Sequence, residues 1–387
     1  MLALGRRLVG RGHDVTIQTW LQWRDDVEAA GARFAPAPEY PVFPQLGQEP
    51  LSPYEAAGRA AVDTLPLVDD VRPDVVVADV LTLGPSLAAE ARGVPVATLI
   101  PHIDPRTEPA WPPFSSGARL PRTAVGRAGW RGMSRLVDRA LEHGRVELNG
   151  VREHVGLPPV QHQHGGISRD LALVGSVPQL AYPRARELPA THVVGPFVWE
   201  PPADAVELPP GDAPLVLVAP STSQDPTGML LRAALAGLAD APVRVLAAQN
   251  RVSAEAAARL GAIEVPDNAR LVPWVSYART MPAADVIVCH AGHGTLLRAL
   301  SYGRPVVAIP ATGDMHENAA RLAWSGAGLR LPRRLAGPRA VRTAVLTALS
   351  DPSYAARAAG IAAWIAQGDG VDRGAPLVEA LAARGPR

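Results

Sequence analysis

Residues 284–310 read ADVIVCHAGHGTLLRALSYGRPVVAIP. An apolar run at 285–289 opens this segment, and a second apolar run at 305–309 closes it. Between the two runs, Gly292 and Gly294 precede residues with helical spacing. Short β-branched runs joined through a helix are typical of buried parallel strands. We therefore predict a strand, a glycine-rich turn, a helix and a second parallel strand.

The same alternation of apolar runs and helical segments extends in both directions. Strands are predicted at 74–78, 95–100, 215–219 and 243–247, with helices at 85–92 and 227–238. Between Gly195 and Ala213 the chain is rich in proline and scattered acids, a linker composition. The predicted fold class is α/β, with two Rossmann-like domains at 1–196 and 213–387 joined by a linker at 197–212.

Composition excludes several classes of function. The chain has 387 residues, with 38 basic and 37 acidic side chains, so a broad nucleic-acid surface is not expected. A single cysteine, Cys289, excludes an intramolecular disulfide and a cysteine-based zinc cage, and it fits a reducing cytoplasm. No apolar run reaches the roughly 18 residues of a membrane helix, so we expect no membrane insertion.

The turn from Gly292 to Thr295 has the properties of an anion site. Free N–H groups and the positive end of the helix would point to one place, and glycines would let a phosphate approach the backbone. His290 and the Thr295 hydroxyl could add side-chain donors. The alternative is a structural turn, in which the glycines only allow the helix to pack on the strand.

Three further elements point to the same edge of the sheet. Asp314 follows the strand at 305–309, and Ser221 and Thr222 follow the strand at 215–219. Ligands of open α/β sheets bind at the carboxyl ends of strands. Trp274 lies before the strand at 285–289, where it could stack on a base or belong to the core.

The combination of these motifs resembles the donor-binding signature of family 1 glycosyltransferases of the GT-B fold, in particular the bacterial natural-product type. The likeness is specific over residues 272–331 and weaker over the rest of the chain. It implies two Rossmann-like domains facing across a cleft, with a nucleotide-sugar in the second domain and a small apolar acceptor in the first. The last helix would return to the first domain.

The resemblance also implies roles for individual residues. Trp274 would stack on the nucleobase, and the Val275 backbone would pair with its edge. Ser221 or Thr222 would assist at the phosphates, and Asp314, followed by Met315, would contact the sugar. The diphosphate would be held by His290, Gly292, His293, Gly294 and Thr295. No metal or other cofactor is expected, since helix and side-chain donors replace the cation.

Two departures from the family pattern concern the donor. The family's ribose-binding Glu is replaced by Arg298, and the Gln after the sugar-binding Asp is replaced by Met315. Without this Glu the site lacks an acceptor for the two ribose hydroxyls, and 2′-deoxyribose, which has only one of them, depends less on that acceptor. This favours a dTDP-linked over a UDP-linked sugar.

A third departure concerns the first strand of the first domain. The family's loop Gly-His-x-x-Pro, with its general-base His, has no counterpart before the helix that starts near Met1, and His13 belongs to the turn after that helix. We expect Met1 to be an internal residue of a longer protein, or the chain to bind donor and catalyse poorly. Asp79 matches the residue that orients the base, and His102 is a possible substitute base.

Two functions from different classes follow from these patterns. The first is an inverting transferase that moves a sugar from a nucleoside diphosphate to a hydroxyl, with the acceptor wall formed around Trp111, Phe114 and Trp130. The second is a non-catalytic nucleotide-sugar-binding partner or a remnant of such an enzyme. A nicotinamide-dependent dehydrogenase is rejected, because position 297 is Leu where its motif requires glycine.

Overall fold

The structure, a computed structural model, describes residues 1–40, 51–162, 164–201, 203–221, 225, 227–250 and 261–385. The strands of the first domain are β1 Thr16–Thr19, β2 Arg33–Pro36, β3 Val76–Asp79, β4 Val96–Ile100, β5 Leu171–Val174 and β6 Thr191–Val193. Its helices are α1 Leu2–Gly10, α2 Arg24–Ala29, α3 Pro53–Val71, α4 Leu83–Ala91 and α5 Ala124–His154.

The second domain and the C-terminal helices follow. Strands are β7 Leu215–Ala219, β8 Arg244–Ala248, β9 Ala269–Val272, β10 Val286–Cys289, β11 Val306–Ala308 and β12 Gly328–Arg330. Described helices are α6 Met229–Leu238, α7 Tyr277–Thr280, α8 His293–Ser301, α9 Asp314–Ser325, α10 Pro338–Ser350, α11 Pro352–Ala366 and α12 Gly370–Ala382.

The second domain contains one parallel sheet in the order β12-β11-β10-β7-β8-β9. This is the Rossmann order, in which the direction of winding reverses between β7 and β10. Every residue of β7 and β10 is buried, because helices cover both faces of the sheet. The apolar runs in the sequence and the buried strands therefore coincide.

The strands of the first domain are divided between two sheets. β3, β4, β5 and β6 form a parallel sheet in that order, and β1 pairs with β2 in a separate parallel pair. Among the described residues no strand pairing joins β1 to β3. Helix α1 lies against both sheets. Its Leu4 belongs to the core beneath β4 and β5. On the side of the β1–β2 pair, a Cβ at Gly5 would lie 2.7 Å from Ile17 Cδ1.

The last helix, α12, packs on the first domain. Val371, Val378 and Leu381 join the core that contains Leu4 and Leu173. Two exposed ion-pair contacts align α12 with α1. They join Arg7 to Asp372 at 2.6 Å and Arg11 to Glu379 at 2.7 Å.

The proline-rich segment between the domains is fastened to the second domain. Val206 and Leu208 pack against its core, and Glu207 pairs with Arg270 at 2.6 Å. Within the described ranges, no helix combines the length and the apolar character needed to span a membrane.

Candidate active site

The candidate site lies at the end of β10, beside the point where the sheet reverses its winding. Ala291 adopts a positive φ of 64° with its side chain fully buried, which turns the chain sharply from β10 into α8. Gly292 is the N-cap residue of α8. A Cβ on Gly292 would lie 2.5 Å from Nε2 of His290, so the imidazole occupies the space that only glycine leaves open.

The N-terminus of α8 offers backbone donors. The first backbone hydrogen bond of the helix joins the Leu296 N–H to the Gly292 carbonyl, so the N–H groups of residues 293–295 precede the helical ladder. No described side chain caps this end of α8. A Cβ at Gly294 would meet nothing within 4 Å. The end of the helix is therefore open, with its positive dipole facing outward.

His290 lies half-buried beside this helix end. Burial lowers the pKa of its imidazole, while the Ala219 backbone and the carboxylates of Asp225 and Asp314 act in the opposite direction. Among the described residues, His290 Nδ1 has no hydrogen-bond partner although it is buried. A buried polar atom without a partner is uncommon in a native protein and indicates a place for a ligand or water.

A cavity of about 240 Å³ lies next to His290. Its wall combines aromatic side chains with polar ones. The lining residues are Glu200, Pro201, Pro220, Asn250, Trp274, Val275, Tyr277, His290, Thr295 and Arg298. The structure thus brings Trp274, Val275, His290 and Thr295 together, as the sequence predicts.

Trp274 and Val275 face the cavity in different ways. The Trp274 side chain remains 39% exposed, so its ring is available to a ligand. Val275 is 2% exposed and its side chain belongs to the core, which leaves its backbone for the cavity. This placement fits the stacking and edge-pairing roles that the resemblance implies.

The remaining predicted donor contacts have different positions. Ser221 is buried directly after β7, next to β10, and Thr222 lies outside the described residues. Asp314 begins α9 and accepts a hydrogen bond from Asn318 Nδ2 at 3.2 Å. Met315 packs against the buried core of the second domain, so its placement gives no support to a donor contact. A thioether in place of an amide removes the polar atoms that such a contact requires.

His293 uses its side chain for a contact between the domains. Its Nε2 lies 2.9 Å from the carbonyl oxygen of Gly175, which follows β5 in the first domain. Burial, with a smaller contribution from the nearby His102, lowers the pKa of His293 to about 4. Nε2 of His293 is therefore engaged by the first domain, while its backbone N–H is one of those that precede the helical ladder of α8.

Asp79 and His102 lie at the carboxyl ends of the adjacent strands β3 and β4. Asp79 Oδ1 accepts a hydrogen bond from the Leu81 N–H at 2.8 Å. His102 Nδ1 lies 2.7 Å from the Ile103 carbonyl, and its ring centroid lies 5.9 Å from that of Phe114. A carbonyl only accepts, so Nδ1 carries the proton in the neutral ring and Nε2 carries the lone pair.

The packing of the Trp111 side chain gives no support to a place for this ring in the acceptor wall. Trp111 is 8% exposed and packs edge-on against Tyr182, with the ring centroids 5.5 Å apart. The Arg321 guanidinium, from α9 of the second domain, lies 5.3 Å from its centroid. Trp111 thus anchors its loop to the second domain, because aromatic and guanidinium faces attract one another.

Glu200, Asn250 and Tyr277 line the cavity but are absent from the sequence prediction. Asn250 Nδ2 donates to the Pro220 carbonyl at 2.9 Å and to the Tyr277 hydroxyl at 3.0 Å. The sequence gives a weak indication of Tyr277, since it follows Trp274 by three residues. The sequence gives no indication of Glu200, because nothing in the proline-rich segment distinguishes one acid from its neighbours. Among the described residues, no group of three or more His, Cys, Asp or Glu side chains could hold a metal ion.

Known proteins share both the sequence pattern and the fold. Residues 241–368 match the family described as "Erythromycin biosynthesis protein CIII-like, C-terminal domain". The 4′-demethylrebeccamycin synthase of Lentzea aerocolonigenes is 31% identical over 98% of this chain and 96% of its own length.

Two solved structures share the architecture. The glycotransferase of kitacinnamycin superposes with a TM-score of 0.76 at 24% identity, covering 98% of this chain and 94% of that one. The glycosyltransferase VinC in complex with dTDP gives a TM-score of 0.71 at 22% identity, covering 100% and 96%. With a relative above 30% identity along nearly the full length of both chains, this protein belongs to the bacterial natural-product type of family 1 glycosyltransferases, with the GT-B fold.

Proposed function

We propose that this glycosyltransferase moves a hexose or deoxyhexose from a nucleoside diphosphate, dTDP or UDP, to a hydroxyl of a small apolar acceptor, with inversion at the anomeric carbon. The observation that carries the proposal is the single cavity in which Trp274 and the Val275 backbone meet His290 and Thr295 at the open start of α8. An aromatic face beside an anion-binding helix end is the chemistry that a nucleoside diphosphate requires.

The diphosphate end of the site would stabilise the leaving group. As the glycosidic bond breaks, negative charge grows on the diphosphate, and the uncapped N–H groups of α8 would face it without reorganisation. His290 Nδ1, buried without a partner among the described residues, would add a donor. We propose that these donors do the work that a metal ion does in other transferases.

The acceptor would bind on the first domain, opposite this helix end. Leu81, two residues after Asp79, is 79% exposed, and Phe114 packs against the His102 ring. These side chains would give the cleft an apolar surface. The name of one relative, 4′-demethylrebeccamycin synthase, agrees with such a site, and a neighbour solved with dTDP agrees with the donor site.

Proton removal from the acceptor would fall to His102 or Asp79. Nε2 of His102 carries the lone pair of the neutral ring, and His102 lies close enough to His293 at the start of α8 to influence its pKa. This proximity supports His102 as the candidate that would take the acceptor proton opposite the diphosphate site. We also propose a cytoplasmic location, which rests on the single cysteine.

The proposal is tested by calorimetry and by turnover. Purified protein should bind dTDP or UDP, and it should release the diphosphate from dTDP-glucose or UDP-glucose faster when a panel of aromatic alcohols and phenols is added. Binding of neither diphosphate would overturn the donor site. Binding without acceptor-dependent release or glycoside formation would contradict the transferase proposal and support a nucleotide-sugar-binding role.

A further inference from the structure

Glu200 and Arg298 form an ion pair in the wall of the nucleotide cavity. Glu200 belongs to the segment between the domains and Arg298 to α8, and Arg298 Nη1 lies 2.9 Å from Glu200 Oε2. Their side chains are 12% and 19% exposed. Arg298 also donates to the Trp199 carbonyl, and its guanidinium lies 5.8 Å from the centroid of the Tyr277 ring. Glu200 is thus held in one orientation from several sides.

The Glu200 carboxylate has further partners on the backbone. Oε1 accepts from the Tyr277 N–H at 2.8 Å, and Oε2 accepts from the Ala278 N–H at 3.2 Å. A carboxylate has about four acceptor positions, two on each oxygen. Oε2 is therefore filled by Ala278 and Arg298, while Oε1 has a single remaining position.

A nucleoside diphosphate would bring its pentose to this part of the cavity. With the base on Trp274 and the diphosphate at the start of α8, the pentose lies between them, and Glu200 shares their cavity. The amide nitrogen of Asn250, another polar lining group, is already engaged by the Pro220 carbonyl and the Tyr277 hydroxyl.

We propose that Glu200, positioned by Arg298, accepts a hydrogen bond from one pentose hydroxyl, the 3′-hydroxyl, and so makes the site selective for 2′-deoxyribonucleoside diphosphates. A ribose diol would present two donors to one acceptor position, and the second hydroxyl would lose its hydration without a partner. This inference rests on the proposed function, because it assigns one residue within the donor site.

The test compares diphosphates that differ by single groups, titrated calorimetrically into the full chain. They are dTDP, its 3′-deoxy analogue, 5-methyluridine diphosphate and UDP. The wild-type protein should lose roughly tenfold in affinity when the 3′-hydroxyl is removed, and roughly tenfold when a 2′-hydroxyl is added with the base unchanged. UDP against 5-methyluridine diphosphate measures the base methyl separately.

Variants then assign the discrimination to Glu200. In Glu200→Ala, and in Glu200→Ala combined with Arg298→Met, the ratio of the two dissociation constants for 3′-deoxy-dTDP and dTDP should fall to about 1–2. Arg298→Lys should give an intermediate ratio, because the planar fork that orients the carboxylate is lost. The matched control is Glu207→Ala, which removes an exposed acid of the same segment and should leave the ratio unchanged.

The outcomes separate this inference from the function on which it rests. If no diphosphate binds, the donor-site proposal fails. If dTDP binds and the 3′-hydroxyl ratio is the same with and without Glu200, the assignment of Glu200 is overturned. If the wild-type protein binds 5-methyluridine diphosphate as tightly as dTDP, or more tightly, the proposed selectivity for 2′-deoxyribose is overturned without any variant.

Discussion

Nε2 of His293 lies 2.9 Å from the carbonyl oxygen of Gly175, and this contact joins the first residue of α8 to the end of β5 in the opposite domain. The carbonyl only accepts, so the imidazole donates through Nε2. The first residue of α8 therefore also helps to set the distance between the two domains. Protonation of His293 would place a charge in a buried position.

The lowered pKa of His293 predicts a loss of stability in acid. The pKa is about 4 in the folded protein and near 6.5 in the unfolded chain. Between these values the unfolded state binds more protons, so stability falls as pH decreases, by up to about 3 kcal/mol at pH 4. Urea unfolding at pH 7, 6, 5 and 4 measures this effect.

His293→Gln is the matched variant for this prediction, since its amide can still donate to Gly175. It should lower the slope of stability against pH without abolishing it, because burial also lowers the pKa of His164 and His290. Identical slopes in the variant and the wild-type protein would contradict the prediction.

His290→Ala should weaken nucleoside diphosphate binding by roughly 1.5–3 kcal/mol, the range for a hydrogen bond to a charged group. The reason is the position of the imidazole, which lies half-buried against Gly292 at the start of α8. Calorimetry with dTDP and UDP measures the loss. Thymidine, which has no phosphate, serves as the control ligand and should bind both proteins alike. Unchanged affinity for both diphosphates would remove His290 from the phosphate site.

Trp274→Ala should cost roughly 1–3 kcal/mol in the binding of the same diphosphates, since base–aromatic stacking has this magnitude. Trp274→Phe should recover part of the loss, because a smaller aromatic face remains. Trp20→Ala is the control, as Trp20 is 54% exposed and does not line the cavity. If Trp274→Ala binds dTDP like the wild-type protein, the base does not stack on this ring.

The second domain was the more predictable half of the fold. The predicted strand at 215–219 coincides with β7, and the one at 285–289 differs from β10 by one residue. Both are apolar throughout because helices cover both faces of the sheet. In contrast, β2 and β6 contain exposed residues and no apolar run, and α3 contains Pro66 in its interior. These three elements are formed through tertiary contacts, so local patterns missed them.

The candidate site was predictable where its residues are close in sequence. One strand and one helix position His290, Gly292 and Thr295, so the spacing of these residues in the sequence predicts that they lie close together. The pair of Glu200 and Arg298 spans 98 positions and depends on how the segment between the domains is packed. Trp111 shows what a loop sequence leaves open, because its aromatic side chain suggests ligand binding while the structure packs the ring against Tyr182.

His102→Gln should lower kcat by roughly 10²–10⁴-fold if His102 removes the acceptor proton, which is the usual contribution of a general base. The affinity for dTDP should stay within about twofold, because the side chain is not part of the nucleotide cavity. Asp79→Asn tests the other candidate at the end of the neighbouring strand, and it keeps an oxygen that can accept from the Leu81 N–H. The control is His192→Gln, an exposed histidine on β6. If the turnover of His102→Gln matches the wild-type protein while that of Asp79→Asn falls, the base is the carboxylate. If neither variant changes turnover, proton removal does not involve this end of β3 and β4.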